Sequence, residues 1–372
     1  MSYPILVTKP TLPPFEEYAH LIQQIWENRW ITNSGPCHTQ LQKDLATYLN
    51  LSDKNISLFT NGHQALEAAI HALHLPKGSE VITTPYTFAS TTHAIIRCGL
   101  MPVFCDISPE DYNINVTKIE SLITENTSAI LPVHVYGTPC NVDKIQDIAE
   151  RHNLKVIYDA AHAFGVSLKG KSRCSFGDAS MLSFHATKVF NTVEGGAIIS
   201  SHADVTKTAD RYKNFGMEDL GDFVEVGTNA KMSEFHAAMG ICNLRHIAES
   251  ISARRKVCDA YDSVLGSVKG LKILKHADGV VSNYAYYPVL VEDSFSLTRD
   301  ELMAVLREQD IFSRKYFSPI VTEFSCYKDM YPFAENSVAK YVSERILCLP
   351  LYDTMTDEDV ERVLSAIPGG KR

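Results

Sequence analysis

Between about residues 55 and 200 the chain alternates short apolar runs with stretches of helical spacing, and no other feature limits its possible folds so tightly. The runs are "SEVITT", "MPVFCDI", "SAILPVHVYG", "LKVIYDAA", "ASMLSFH" and "GGAIIS". Between them lie "QALEAAIHALHL", "ASTTHAIIRCGL", "NVTKIESLITE" and "NVDKIQDIAERHN", whose apolar residues recur with helical spacing. Near-continuous apolar strands joined by crossover helices imply an α/β fold, a mostly parallel sheet covered on both faces.

The pattern changes further on. Residues 232–265 read as one long amphipathic helix or two in series. A smaller α+β pattern follows, with a strand in "NYAYYPVLV", a helix in "RDELMAVLREQD", a strand in "RILCLPL" and a last helix in "DEDVERVLSAI". This places a boundary near residue 245. The large unit is 1–245, including the N-terminal segment, and the small α+β unit is 246–372. Two units suit a chain of 372 residues.

Several function classes fall away on charge and patterning. The net charge is −9 and there is no lysine- or arginine-rich block, which argues against a nucleic-acid partner. No apolar run approaches the roughly 18 residues that a membrane span needs. The start, "MSYPILVTKPTLPPFEEY", lacks a positive region followed by a long apolar stretch, so no signal peptide is expected. Nine cysteines without a C-x-x-C pair read as free thiols of a reducing cytoplasm rather than disulfides or a metal site.

Open parallel sheets bind ligands beyond the carboxyl ends of their strands, and polar residues fall at those ends here. Asp159 follows "KVIY", His162 lies three residues on, Ser183 and His185 end the next strand, and Lys188 stands in the turn after it. Lys188 is either a solvated loop charge or a nucleophile that holds a carbonyl compound as an imine. "TNGHQAL" opens a helix whose free N–H groups at Gly62, His63 and Gln64 suit a phosphate, although any helix start has such groups. "PYTFAS" supplies Phe88 after the second strand, where it serves either as core or as an aromatic plate. A phosphate seat, an aromatic plate, a carboxylate and a lysine are together what pyridoxal phosphate requires. A Gly-rich nucleotide site is the alternative, but there is no G-x-G-x-x-G or Walker motif.

"DAAHAFG" from Asp159, "SFHATKVFNTVEGGAI" from Ser183 and "GTNAKMSEFHAAMG" from Gly227 closely resemble the DegT/DnrJ/EryC1/StrS family. Its members are pyridoxal phosphate-dependent nucleotide-sugar aminotransferases of fold type I, the aspartate aminotransferase fold with a seven-stranded, mostly parallel sheet in its large domain. The resemblance extends from "WITNSGP" at Trp30 to "RKYFSP" at Arg314. It implies that Lys188 is the Schiff-base lysine, Asp159 the partner of the pyridine nitrogen, His162 a contact of the ring hydroxyl and Phe88 the stacked aromatic. Gly62, His63 and Ser183 would take the phosphate. The family's usual Ser-Gly-Thr turn lacks its hydroxyl here, so backbone N–H groups or the His63 ring must substitute. His185 either touches the phosphate or packs. Asn229 would reach the phosphate from a partner subunit, which implies a homodimer with composite sites. Lys231, Arg314, Lys315 and Tyr316 are candidates for the sugar nucleotide, or else surface charges, and Glu194 with Gly195–Gly196 shapes a turn.

The implied reaction is ping-pong. L-glutamate would convert the cofactor to pyridoxamine phosphate, which then aminates a keto sugar, with Lys188 carrying the proton. "GTNAKMSE" is similar to the carbon-4 enzymes, which points to dTDP-4-keto-6-deoxy-D-glucose and to surface polysaccharide such as O-antigen and lipopolysaccharide. A carbon-3 aminotransferase and a non-catalytic relative are the alternatives. The family's sugar 3-dehydratases carry histidine where Lys188 stands.

Overall fold

The computed structural model describes residues 3–370 except 169, 173–175, 276, 332 and 336, and in it the alternation becomes one sheet. Its strands are Ile56–Phe59 (β1), Glu80–Thr83 (β2), Met101–Phe104 (β3), Thr127–Ile130 (β4), Lys155–Asp159 (β5), Ala179–Ser183 (β6) and Gly196–Ile199 (β7). They lie in the order β1-β7-β6-β5-β4-β2-β3. β7 runs antiparallel to both of its neighbours, and the other pairings are parallel. The α/β architecture expected from the alternation is therefore present. β1 was not among the apolar runs. "ISLF" is only four residues, but all four are buried, and they close the sheet edge against β7.

Helices cover both faces. Gly62–Ala72 is the most enclosed, with eight of its eleven residues buried. Its alanines let it lie close against the sheet, and the side chain of Asn61 caps it by accepting the Gln64 N–H at 2.9 Å. The long helical stretch is two helices in series, Glu234–Arg245 and Ile247–Leu265, broken at His246. The second helix passes between cores. Ile247 packs in a core with residues of β1, β6 and β7, whereas Val257, Tyr261 and Leu265 pack in a second core with C-terminal residues such as Leu347 and Val363. A separate antiparallel sheet consists of Leu271–Ile273 (β8), Tyr287–Val291 (β9) and Ile346–Leu349 (β10), in the order β8-β9-β10.

The N-terminal segment departs from its expected place in the large unit. Ile5 is fully buried in the C-terminal core and forms a parallel bridge with Ile311. The Leu351 N–H donates to the Val7 carbonyl at 3.0 Å, which extends the attachment. An extended segment joins whichever sheet edge offers free backbone groups, and sequence adjacency does not select that edge.

No helix among the described residues is long and apolar enough to cross a membrane. Cys174 lies outside the described residues, and Cys37, Cys98, Cys105, Cys242, Cys258, Cys326 and Cys348 are free thiols.

Candidate active site

The carboxyl ends of β1, β2, β5 and β6 open into a cavity of about 1050 Å³. Gly62, His63, Phe88, Asp159, His162, Ser183, His185, Lys188, Arg314, Lys315 and Tyr316 all line it. Asn229 and Lys231 do not. Asn229 is exposed, and its Oδ1 accepts from Lys231 Nζ at 3.0 Å.

Asp159 ends β5 almost fully buried, with Oδ2 accepting from the Thr91 hydroxyl at 2.8 Å and Oδ1 from the Ala161 N–H at 3.1 Å. It has no ion-pair partner among the described residues, and burial raises its pKa. A buried carboxyl that lines a cavity without a salt-bridge partner among the described residues, and feels only the more distant pull of Lys188, suits a ligand that brings a cationic N–H. Lys188 lies partly exposed to the cavity that encloses it. Burial lowers its pKa to about 8, against the opposing pull of Asp159. Such an amine is neutral in a far larger fraction near physiological pH than an ordinary lysine, as a nucleophile or proton carrier requires. Its Nζ donates to the Tyr286 hydroxyl at 3.4 Å.

His162 is buried, and its Nδ1 accepts the Tyr136 N–H at 3.2 Å. Burial, helped by the Lys188 charge, holds its pKa well below the usual histidine range. A neutral ring that accepts at Nδ1 carries its proton on Nε2, by the logic of the hydrogen-bond network. Phe88 is 63% exposed at the cavity wall.

The N-terminus of helix Gly62–Ala72 opens into the same space. A Cβ on Gly62 would come within 2.9 Å of Ser183 Cβ, so only glycine lets the turn approach β6. Gly196 is confined likewise, since a Cβ there would lie 2.6 Å from the Asn61 carbonyl oxygen. Of the glycine pair after Glu194, Gly196 thus serves packing of the turn against this helix start, whereas Gly195 is crowded by Thr192, Met232 and Phe184. The His63 ring is committed elsewhere: Nδ1 pairs with the Ser90 hydroxyl at 2.9 Å and Nε2 with Glu67 at 3.2 Å. Of the two substitutes expected for the missing hydroxyl, the backbone N–H groups remain available. His185 is bonded within its own loop, to Thr187 at 2.8 Å and Glu194 at 3.6 Å.

Across the cavity, Arg314 donates to the Tyr316 hydroxyl at 2.9 Å, and Lys315 pairs with Asp300 at 2.8 Å. Sequence reasoning passed over Thr91, Tyr286 and Phe317. Thr91 stands on helix Ala89–Arg97, 68 residues before Asp159 in the chain, and only the fold brings its hydroxyl to that carboxylate. The "NYAYYPVLV" run marked a strand and nothing more.

These residues fit pyridoxal phosphate. The cavity holds a glycine-bounded helix start for the phosphate, an exposed aromatic ring, a buried carboxyl without a salt-bridge partner among the described residues and a lysine of lowered pKa. The comparisons agree. Residues 15–368 match the model of the DegT/DnrJ/EryC1/StrS aminotransferase family. The dTDP-4-amino-4,6-dideoxy-D-glucose transaminase of Shigella dysenteriae is 44% identical over 367 residues, 99% of each chain. The Escherichia coli protein of the same name is 42% identical over 98% of each chain. The crystal structure of DesI in the presence of its TDP-sugar product aligns with a TM-score of 0.92 at 32% identity, covering 98% of this chain and 92% of that one.

Proposed function

Because the chain belongs to the DegT/DnrJ/EryC1/StrS aminotransferase family, we propose that it moves the amino group of L-glutamate to the 4-keto carbon of dTDP-4-keto-6-deoxy-D-glucose. The product would be a 4-amino-4,6-dideoxyglucose nucleotide made in the cytoplasm for surface polysaccharide. One observation carries the chemistry: a lysine of depressed pKa and a buried carboxyl share one cavity at the carboxyl edge of the sheet. The names of the two curated relatives support carbon 4 over carbon 3.

Pyridoxal phosphate, when bound, supplies the carbonyl that takes up the amino group and a ring that accepts an electron pair. The chain's own residues do the rest. The N–H groups of Gly62 and His63, with the Ser183 hydroxyl, would hold its phosphate. Asp159, fixed by Thr91 and Ala161, would keep its ring nitrogen protonated, the Nε2–H of His162 would donate to its ring hydroxyl, and Phe88 would stack on the ring. Lys188 would hold it as an imine and, as a free amine, carry a proton from the glutamate α-carbon and later to the sugar carbon. Arg314, Lys315 and Tyr316 face the sugar nucleotide, whose diphosphate suits the two cations.

Asn229 and Lys231 point to a homodimer with shared sites. Asn229 is exposed and Lys231 half-buried, both outside the lining of their own chain's cavity, and Phe215, Phe223, Val224 and Val226 are exposed nearby in the chain. Val226 is 91% exposed, and apolar side chains grouped in this way favour burial against another surface, here a second copy.

The test offers the purified enzyme glutamate with dTDP-, UDP- and GDP-linked keto sugars and identifies products by mass and NMR. A 4-amino sugar from the dTDP substrate is expected. Amination of a 3-keto sugar alone would overturn the carbon-4 reading. Failure of glutamate to bleach the visible band of the bound cofactor would overturn the aminotransferase itself.

A further inference from the structure

Lys188 stands on the large unit, but its hydrogen-bond acceptor comes from the other one. Tyr286 immediately precedes β9, and its hydroxyl accepts from Lys188 Nζ at 3.4 Å across a sequence separation of 98 residues. Its ring is held on three sides, with centroids 4.8 Å from His162, 5.7 Å from Tyr136 and 5.6 Å from Tyr316.

The main chain leading to Tyr286 is fixed as firmly. Asn283 is buried, and its Nδ2 donates to the carbonyls of His162 at 2.8 Å and Phe164 at 2.9 Å. Its Oδ1 accepts the Ala285 N–H at 3.1 Å. Gly137, at φ +84°, passes so close that a Cβ would lie 2.9 Å from Asn283 Oδ1 and 2.8 Å from the His162 carbonyl oxygen. One side-chain amide therefore ties residues 283–286 to the loop that follows Asp159.

We propose that Tyr286 is the positioning residue for Lys188, holding the free amine aimed into the cavity while it carries protons, with Asn283 setting the tyrosine. The inference rests on the aminotransferase reading and adds a residue to it. A lysine side chain has about 2 kcal/mol of rotamer entropy, so a released amine has little reason to stay where it is needed. An N–H donated to Tyr286 restrains the amine and leaves its lone pair free to face the reacting carbon. Burial raises the Tyr286 pKa, so the hydroxyl stays protonated and acts as a neutral acceptor. No other group contributes a bond to the amine among the described residues.

The test is Tyr286→Phe in the cofactor-loaded enzyme, which removes the hydroxyl and keeps the ring. Expected are a kcat loss of roughly 10- to 100-fold, the scale of a misplaced reacting group, with the KM for glutamate changed by less than about threefold. Cofactor content and melting temperature should stay at wild-type values. The deuterium isotope effect with glutamate labelled at its α-carbon should rise, because proton transfer through Lys188 becomes the slow step. An unchanged kcat overturns the proposal. So does a lower kcat with an unchanged isotope effect, or loss of bound cofactor, since either places the hydroxyl's work elsewhere. Wild-type enzyme that forms no 2-oxoglutarate from glutamate would instead bring down the aminotransferase reading, before the variant is compared.

Discussion

On one wall of the cavity the polar groups stand at or just beyond the ends of buried strands. Asp159 ends β5, Ser183 ends β6 and Lys188 lies five residues further on. On the opposite wall Arg314, Lys315 and Tyr316 occupy a loop, and Arg314 is exposed. The first wall is held by a sheet whose strands are buried on both faces, so each side chain inherits the sheet's rigidity. The second is tied down by its backbone, through a bridge from Arg314 to Cys348 of β10 and a bond from the Tyr86 hydroxyl to the Tyr316 carbonyl at 3.0 Å. Its side chains are held more lightly, by the bonds of Arg314 to Tyr316 and Lys315 to Asp300. Chemistry that needs fixed geometry belongs on the first wall. Recognition of a variable sugar nucleotide suits the second, whose loop side chains can change without disturbing the large sheet.

That contrast breaks most easily at Lys188. Lys188→Ala should cost at least about a thousandfold in turnover while the protein stays folded, because general acid–base groups contribute roughly 10²–10⁴. A steady-state assay beside a circular dichroism melt decides it. A rate above about a thousandth of wild type would mean that another group moves the proton.

Asp159→Asn should retain bound cofactor, visible by its absorbance, and lose about three decades in rate, roughly 4 kcal/mol of barrier. The amide keeps the shape but cannot stabilise a protonated ring nitrogen. Near-normal turnover would assign that task to a different carboxylate and reverse the placement of the cofactor in the cavity.

The shared-site reading extends the comparison to a third wall, from a partner chain. Lys188→Ala and Asn229→Asp are each expected to be inactive, the second because a carboxylate repels the cofactor phosphate. Refolded together, about half of the dimers are mixed and roughly a quarter of all sites carry neither defect, by the two-fold symmetry of such a dimer. Activity near a quarter of wild type sharpens the picture. Activity no greater than the mean of the separately refolded controls removes Asn229 from a partner's site.

The smallest effect is a titration. Burial lowers the Lys188 pKa to about 8, so the amine is an unreactive ammonium below that pH and a neutral nucleophile above it. In cofactor-free protein, acylation of Lys188 should rise through about pH 8, with Lys188→Ala as the blank. A midpoint near the ordinary lysine value of about 10.4 would place the amine in open solvent.

The sequence by itself determined what depends on near neighbours in the chain. Apolar spacing marked six of the seven sheet strands, and the residues around Asp159 and Lys188 announced the chemistry before any geometry was known. Only the tertiary structure decided what depends on distant segments meeting. It turned the His63 ring to Ser90 and Glu67, sent Ile5 to the C-terminal core, left Asn229 outside its own cavity and brought Tyr286 to Lys188. β1 was missed because four apolar residues show too little periodicity to stand out, although their burial and pairing with β7 are complete. Periodicity and helix caps are written within a few residues, whereas the partner of a side chain is set by packing between elements far apart in the chain.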